Sequence, residues 1–231
     1  MRKFWKNFFR CTLYLIAFFF ISSSLSVLVY RFINPPVTPL MLIRMAQQTG
    51  SSESLRFKKD WEPLDHISSD LQLAVVAAED NRFLEHHGFD FDAIEQAKQY
   101  NQQKHGTKIR GASTISQQTA KNVFLWPQRS WVRKGLEVYF TFLIELVWNK
   151  KRIMEVYLNV IEMGKGIYGA EAASQIYFGK PASRLSKGES ALLAAILPNP
   201  LKWNPVHPTP YLQGRQQWIL WNMGNIGRIR Y

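Results

Sequence analysis

The stretch EDNRFLEHHGFD, residues 79–90, sets two adjacent carboxylates, Glu79 and Asp80, directly after the apolar run 71–78. A carboxylate that emerges where a buried helix meets a loop is partly desolvated, and its pKa rises towards the range of a general base. His86 and His87 follow closely enough to tune it, or else to shape the loop. Read alone, a solvated polar loop accounts for the stretch equally well.

A second pattern lies at GASTISQQTAKN, residues 111–122, where Thr114, Gln117, Gln118, Lys121 and Asn122 fall at i, i+3, i+4, i+7 and i+8. That spacing makes one continuous polar stripe on a helix. Gly111 permits close approach to the helix start, and free backbone N–H groups there, with the Ser113 and Thr114 hydroxyls, suit phosphate or sugar oxygens. A solvated face is the commoner reason for such a stripe, but amides and hydroxyls in place of the usual Glu and Lys suggest a ligand wall. Further on, Arg133 and Lys134 stand four and three residues before Glu137. Both cations share its helical face and can hold it ionised. As a surface cluster the group would add only about 0–1 kcal/mol, which is little structural reason for it. Lys121 and Arg129 flank the link 123–128 and are placed to meet one anion. From Gln96 to Leu136 there is no Asp or Glu, while Lys98, Lys104, Lys108, Arg110, Lys121, Arg129, Arg133 and Lys134 all fall inside.

Helices must position these groups. Ser68 or Ser69 can cap a helix through Ala78; Asp92 with Glu95, Thr114 with Gln117, and Ser186 with Glu189 read as capping boxes. Trp131, Val138, Phe142 and Leu146 recur at helical spacing, as do Ile153, Val156, Tyr157 and Val160, and predict two buried helices. An Ala-rich helix follows from Ala170, prolines from Pro198 to Pro210 force an excursion, and a last amphipathic helix begins at Tyr211. No internal repeat and no alternating strand stands out, so the expected class is mainly α.

Residues 11–30 carry no charge and would form about 30 Å of apolar helix, enough to span a bilayer. Arg2, Lys3, Lys6 and Arg10 precede them and no acidic residue occurs before Glu53, so the positive-inside tendency leaves the N-terminus in the cytoplasm. A cleaved signal peptide is the competing reading, with Ser24-Leu25-Ser26 as its cleavage site; apolarity continuing to Val29 favours an uncleaved anchor. The expected organisation is a basic tail at 1–10, a transmembrane anchor at 11–33, a connector at 34–60 with Pro35, Pro36 and Pro39, and one domain at 61–231. Cys11 is the lone cysteine, which excludes an intrachain disulfide. A net charge of +12 points to anionic partners, and an outward-facing domain argues against nucleic acid.

EDNRFLEHHGFD, GASTISQQTAKN, RKGLE at 133–137, KKRIMEVYLNVIEMGKGIYGAEAASQIYFGK at 150–180 and ESALLAAILPNP at 189–200 resemble, in order and spacing, the five motifs of family 51 peptidoglycan glycosyltransferases. The anchor and length resemble its monofunctional biosynthetic branch. Ala112, where a second glycine is frequent, and Thr119-Ala120, where larger aliphatics are usual, depart from the pattern without touching a proposed catalytic group. The resemblance implies a mainly α, lysozyme-like glycosyltransferase domain with one N-terminal transmembrane helix and a lobe partly sunk in the bilayer. It implies polymerisation of lipid II with inversion and release of undecaprenyl diphosphate, at the outer face of a bacterial inner membrane. By carry-over Glu79 is the base and Glu137 positions the donor or its leaving group. Lys121, Arg129, Arg133 and Lys134 would stabilise the pyrophosphate. Ser113, Thr114, Gln117, Gln118 and Asn122 would line sugar and phosphate subsites, and Asp80, also at the substrate, would help order Glu79 or a divalent ion. No Ser-x-x-Lys motif occurs, so no transpeptidase activity is expected. No cofactor is required by the pattern; Mg or Mn at the pyrophosphate stays open, although the sequence shows no metal-ligand spacing. Partners implied are lipid II, the nascent glycan, inner-membrane lipids and division or elongation proteins, with moenomycin as inhibitor.

Two other readings remain: a membrane-tethered hydrolase of lysozyme type, which also uses two carboxylates, and a non-catalytic scaffold for anionic lipid or glycan. The basic run favours a phosphorylated donor over a neutral leaving sugar.

Overall fold

A computed structural model describes residues 1–50, 55–104 and 111–231; Lys108 and Arg110 of the basic run lie outside the described residues. The chain begins with α1 (Arg2–Tyr30), which takes the basic tail and the apolar segment into one helix, with an 18-residue stretch of mean hydropathy 2.1. The connector has structure of its own. Thr38 caps α2 (Pro39–Thr49), whose first residue is the proline favoured at that position, and Lys58–Lys59 form strand β1.

The helices α3 (Ser69–Glu79), α4 (Phe91–Gln103), α5 (Ile115–Phe124), α6 (Trp131–Val147) and α7 (Lys150–Val160) follow. Ser68 caps α3 and Thr114 with Gln117 closes a full capping box on α5. The start of α4 differs from expectation. Asp90, with extended backbone, accepts from the Ala93 amide at 2.9 Å, while Asp92 sits inside the first turn and pairs with Arg82 instead. After α7 come β2 (Glu162–Gly164) and β3 (Ile167–Tyr168), then α8 (Ala170–Phe178), α9 (Lys187–Ile196) under a Ser186–Glu189 capping box, and α10 (Pro210–Ile226).

The three strands form a small sheet in the order β1-β3-β2, with β1 parallel and β2 antiparallel to β3. The sequence shows no sign of it because runs of two or three residues are too short for alternation to register. Its closest approach is at Gly166, whose φ of +67° few other residues adopt and where a Cβ would lie 2.0 Å from the Arg56 carbonyl oxygen.

In the core α3 packs against α9 and α10, and α5 against α6 and α7. Leu71, Phe83, Ile115, Ile144, Tyr157 and Tyr168 are fully buried between them. Helix α6 corrects an expectation. Its inner face carries Arg133, Glu137, Phe140, Thr141 and Ile144, while Trp131 (92 % exposed), Val138, Phe142 and Leu146 face outward. The apolar stripe is therefore an outer surface, and the polar residues face inward because they belong to the site.

Helix α1 packs on α6. Ser23 is hydrogen-bonded to the Tyr139 hydroxyl at 2.8 Å, and Trp148 Nε1 donates to the Val27 carbonyl at 2.8 Å. Arg152 donates to the Tyr30 and Ile33 carbonyls, which are free at the helix end. Gly166→Ala is expected to destabilise the domain by about 2 kcal/mol, a fall in Tm of about 4–8 °C in detergent; a change under about 1 °C would show that the β1–β3 contact is not tight.

Candidate active site

Glu79 is the last residue of α3, its side chain 14 % exposed. Its Oε2 accepts a 2.8 Å hydrogen bond from Gln118 Nε2 on α5. The Gln118 amide is oriented in turn by Tyr157 of α7, whose hydroxyl donates to Gln118 Oε1 at 3.2 Å. Tyr157 stays a donor, since burial and then the charges of Glu79 and Asp80 push its phenol well above the ordinary range. The other oxygen, Glu79 Oε1, has Arg215 Nη2 of α10 at 3.6 Å, inside ion-pair range and beyond a hydrogen bond. Burial raises the Glu79 pKa; Gln118, Arg215 and Lys121 pull against that rise, and Asp80 adds to it.

Asp80 has a different place. Its Oδ1 is hydrogen-bonded to His86 Nε2 at 2.8 Å and its Oδ2 accepts from the Ile115 amide at 2.9 Å. Both oxygens are thus taken by the joint between the 80–90 loop and the start of α5, and Asp80 acts there on the position of Glu79. The loop is braced further. Thr114 Oγ1 donates to the Gly88 carbonyl at 2.7 Å, Lys150 Nζ donates to the His86 carbonyl at 2.6 Å and to Glu145, and Ser116 also donates to Glu145. Gly88 has φ +88°, and a Cβ there would stand 2.9 Å from Thr141 Cγ2. His86 is part of this brace, and His87 is exposed.

The polar stripe of α5 accordingly divides. Thr114 and Gln117 are buried and serve the capping box, and Asn122 is buried with its Nδ2 unbonded. Gln118 and Lys121 face Glu79. Ser113 is exposed on a groove of about 610 Å³ that Gln117, Lys98 and Lys134 also line.

Lys121 links the two ends of the site. Burial lowers its pKa first; Glu137 and Glu79 raise it, and Arg133 and Lys134 lower it. On α6, Lys134 Nζ bonds Glu137 Oε1, and Arg133 Nη1 stands 3.5 Å from Oε2. Arg133 is buried and its Nε has no partner. Arg129 is not drawn in; it is exposed in the link after α5 and, among the described residues, makes no ion pair or hydrogen bond. Among the described residues no three His, Cys, Asp or Glu side chains converge to hold a metal.

Sequence reasoning passed over Arg215 and the positioning role of Tyr157. Arg215 stands outside every motif, and the only trace of it is a cation spaced three and four residues from the apolar Leu212 and Ile219.

A helical domain behind an apolar N-terminal helix, with a desolvated carboxylate at one end of a partly buried cation cluster, makes a site suited to a negatively charged ligand. The transglycosylase family model matches residues 46–224. A biosynthetic peptidoglycan transglycosylase of Bacteroides thetaiotaomicron is 58 % identical over 215 residues, 93 % of this chain and 86 % of the relative. Proteins of the same name from Bdellovibrio bacteriovorus (54 % over 220 residues, 95 % and 87 % covered) and Caulobacter vibrioides (57 % over 194 residues, 84 % and 81 % covered) are similar. The chain belongs to the transglycosylase family. It is a glycosyltransferase with the expected mainly α, lysozyme-like domain.

Because burial raises the folded-state pKa of Glu79 above its unfolded value, the ionised carboxylate costs stability above that pKa, and the cost fades as pH falls through it. Glu79→Gln is therefore expected to melt above the wild type at pH 8 and to lose that advantage towards pH 4.5; a Tm difference independent of pH would contradict it.

Proposed function

We propose that the protein polymerises lipid II into β-1,4-linked glycan strands with inversion, releasing undecaprenyl diphosphate. The observation that carries this reading is Glu79: a desolvated carboxylate with one oxygen held by Gln118 and the other unbonded, on a path through Lys121 to the Arg133–Lys134–Glu137 cluster. The names of the relatives support peptidoglycan as the product.

In the step proposed, the 4-hydroxyl of the acceptor sugar gives its proton to Glu79 Oε1 as its oxygen attacks the anomeric carbon of the donor. The bond from that carbon to the pyrophosphate breaks, and the pyrophosphate leaves with the electron pair. A leaving group of that kind needs cations more than a proton, and preorganised charge in a water-poor site is the strongest means of stabilising it. Lys121, Arg133 and Lys134 supply that charge, Glu137 holds Arg133 and Lys134 in place, and Arg129, exposed outside the cluster, would join only by turning towards a bound pyrophosphate. Ser113 and Gln117, which line one groove, would form a wall of the sugar and phosphate subsites, and the buried Thr114 and Asn122 would back it. Mg or Mn, if used, would ride on the substrate phosphates with at most one or two protein carboxylates, as is common for Mg; no step is assigned to it.

The apolar face of α6 beside α1 supports a lobe resting in the bilayer. With residues 1–10 as a cytoplasmic tail, 11–33 as the anchor, 34–60 near the membrane and 61–231 as the catalytic domain, the site opens at the periplasmic face of the inner membrane. No transpeptidase activity is proposed, and division or elongation proteins are the expected neighbours.

A lysozyme-type hydrolase would require a protonated acid and has no use for a cluster of cations beside it. Incubation with lipid II and, separately, with finished glycan strands separates the two; cleavage of strands without polymer from lipid II would overturn the synthase. Glu79→Gln is expected to lower polymerisation at least about 10²-fold, as loss of a general base does, whereas a scaffold would lose nothing. Lys121→Ala is expected to slow turnover through lost leaving-group stabilisation, and moenomycin to inhibit; unchanged rates in both tests would contradict the donor site assigned here.

A further inference from the structure

Helix α10 presents one buried stripe to the core. Leu212 and Ile219 are fully buried on it, with Asn222 and Met223 one turn on. Asn222 Nδ2 donates to the Ala77 carbonyl of α3 at 2.9 Å, and Gln216 Nε2 donates to the Gly188 carbonyl at 2.8 Å, so the helix is fixed in register beside the end of α3. Arg215 interrupts the apolar part of that stripe. Its side chain is 23 % exposed, and its Nε is buried without a partner. A guanidinium in such a place is costly unless its charge is used. The acidic group it meets is Glu79, at 3.6 Å from Nη2 to Oε1.

The length of that contact matters. A short hydrogen bond to Oε1 would take one of its two lone pairs and lower the basicity of the oxygen that must accept the proton. An ion pair at 3.6 Å stabilises the carboxylate by charge and leaves Oε1 without a donor bonded to it. The oxygens of Glu79 are thus divided, Oε2 fixed by Gln118 and Oε1 attended but not bonded.

We propose that Arg215 is the positioning cation of the base, bringing the C-terminal helix into the active site by holding Glu79 as a carboxylate whose proton-accepting oxygen stays unbonded. The same charge acts after proton transfer. Once Glu79 is neutral, Arg215 has lost its counter-ion, which favours release of the proton to water before the next addition. This inference rests on Glu79 being the base.

The other charged or titratable groups around Glu79 are Asp80 at the helix end, Lys121 on α5 and Tyr157 on α7. Helix α9, also packed on α3, has its charged residues Lys187 and Glu189 in the first turn, with Glu189 paired to Lys180. Asp80 is committed to His86 and the Ile115 amide, Tyr157 to Gln118, and Lys121 is shared with Glu137. Among the described residues, Glu79 is the one carboxylate within ion-pair range of Arg215.

The test is the pH dependence of lipid II polymerisation by the full-length protein in detergent. Arg215→Gln is expected to lower the rate about tenfold or more at pH 6 and by less than about threefold at pH 8.5, as its acid limb moves to higher pH. Arg215→Lys, which keeps the charge, should restore most of the rate at pH 6. Arg215→Met, which keeps the apolar stem in the buried stripe, should behave as the Gln variant does and replaces it if that variant does not fold. A uniform loss across pH, an unchanged profile, or a Lys variant no better than Met would overturn the proposal. Glu79→Gln is run alongside. If it remains active, the base assignment has failed; if it is inactive and the Arg215 profiles are unshifted, only the role of Arg215 has.

Discussion

Asp80 makes the two contacts on which the rest of the site depends. One of its oxygens is hydrogen-bonded to His86 and the other accepts the Ile115 amide, one of the donors that a helix start leaves unpaired. A carboxylate at a helix start is also favoured by the helix dipole. Through these contacts the last residue of α3 and the first turn of α5 become one rigid joint. Glu79 stands on one side of it and Gln118 and Lys121 on the other, so the joint fixes the backbone positions from which these side chains meet. Thr114, Gly88, Glu145 and Lys150 close the same joint from outside. The charged loop that looks solvated in the sequence is in large part the underside of this brace.

Much of the helical framework is legible residue by residue, because local chemistry decides it. Ser68, Thr114 and Ser186 announce helix starts through their own hydroxyls, and the residues three positions after Thr114 and Ser186 complete the boxes. Asp92 misleads because Asp90, two residues earlier, has the same side chain and the extended backbone a cap requires. The small sheet is illegible for a different reason: its strands are too short to carry a period, and β1 and β3 pair from about a hundred residues apart. In α6 the apolar period is plain but its direction is not, since periodicity locates a face without saying whether protein or lipid covers it.

The site shows the same divide. Glu79, Gln118, Lys121 and Glu137 lie in blocks whose residue types already suggest chemistry, and the fold brings Glu79 to Gln118 and Lys121 to both carboxylates. Thr114 and Gln117 share the stripe's spacing with Gln118, yet a helix start must satisfy its own amides first, and that need claims them. Arg215 is invisible beforehand because its meaning is wholly tertiary: nothing near it in sequence is acidic, and its partner is on a helix more than a hundred residues away.

The joint between α1 and the domain has a consequence of another kind. Ser23, Val27, Tyr30 and Ile33 are gripped by Tyr139, Trp148 and Arg152, so α1 is not a tether on which the domain swings. With α1 upright in a bilayer, the altitude of Glu79 above the lipid plane becomes a constant of the molecule. On the proposed reading of a lipid-borne sugar donor, enzyme and substrate would then meet in two dimensions, at a matched height. The quantity governing their encounter would be the number of substrate molecules per unit area of membrane, not their concentration in any volume.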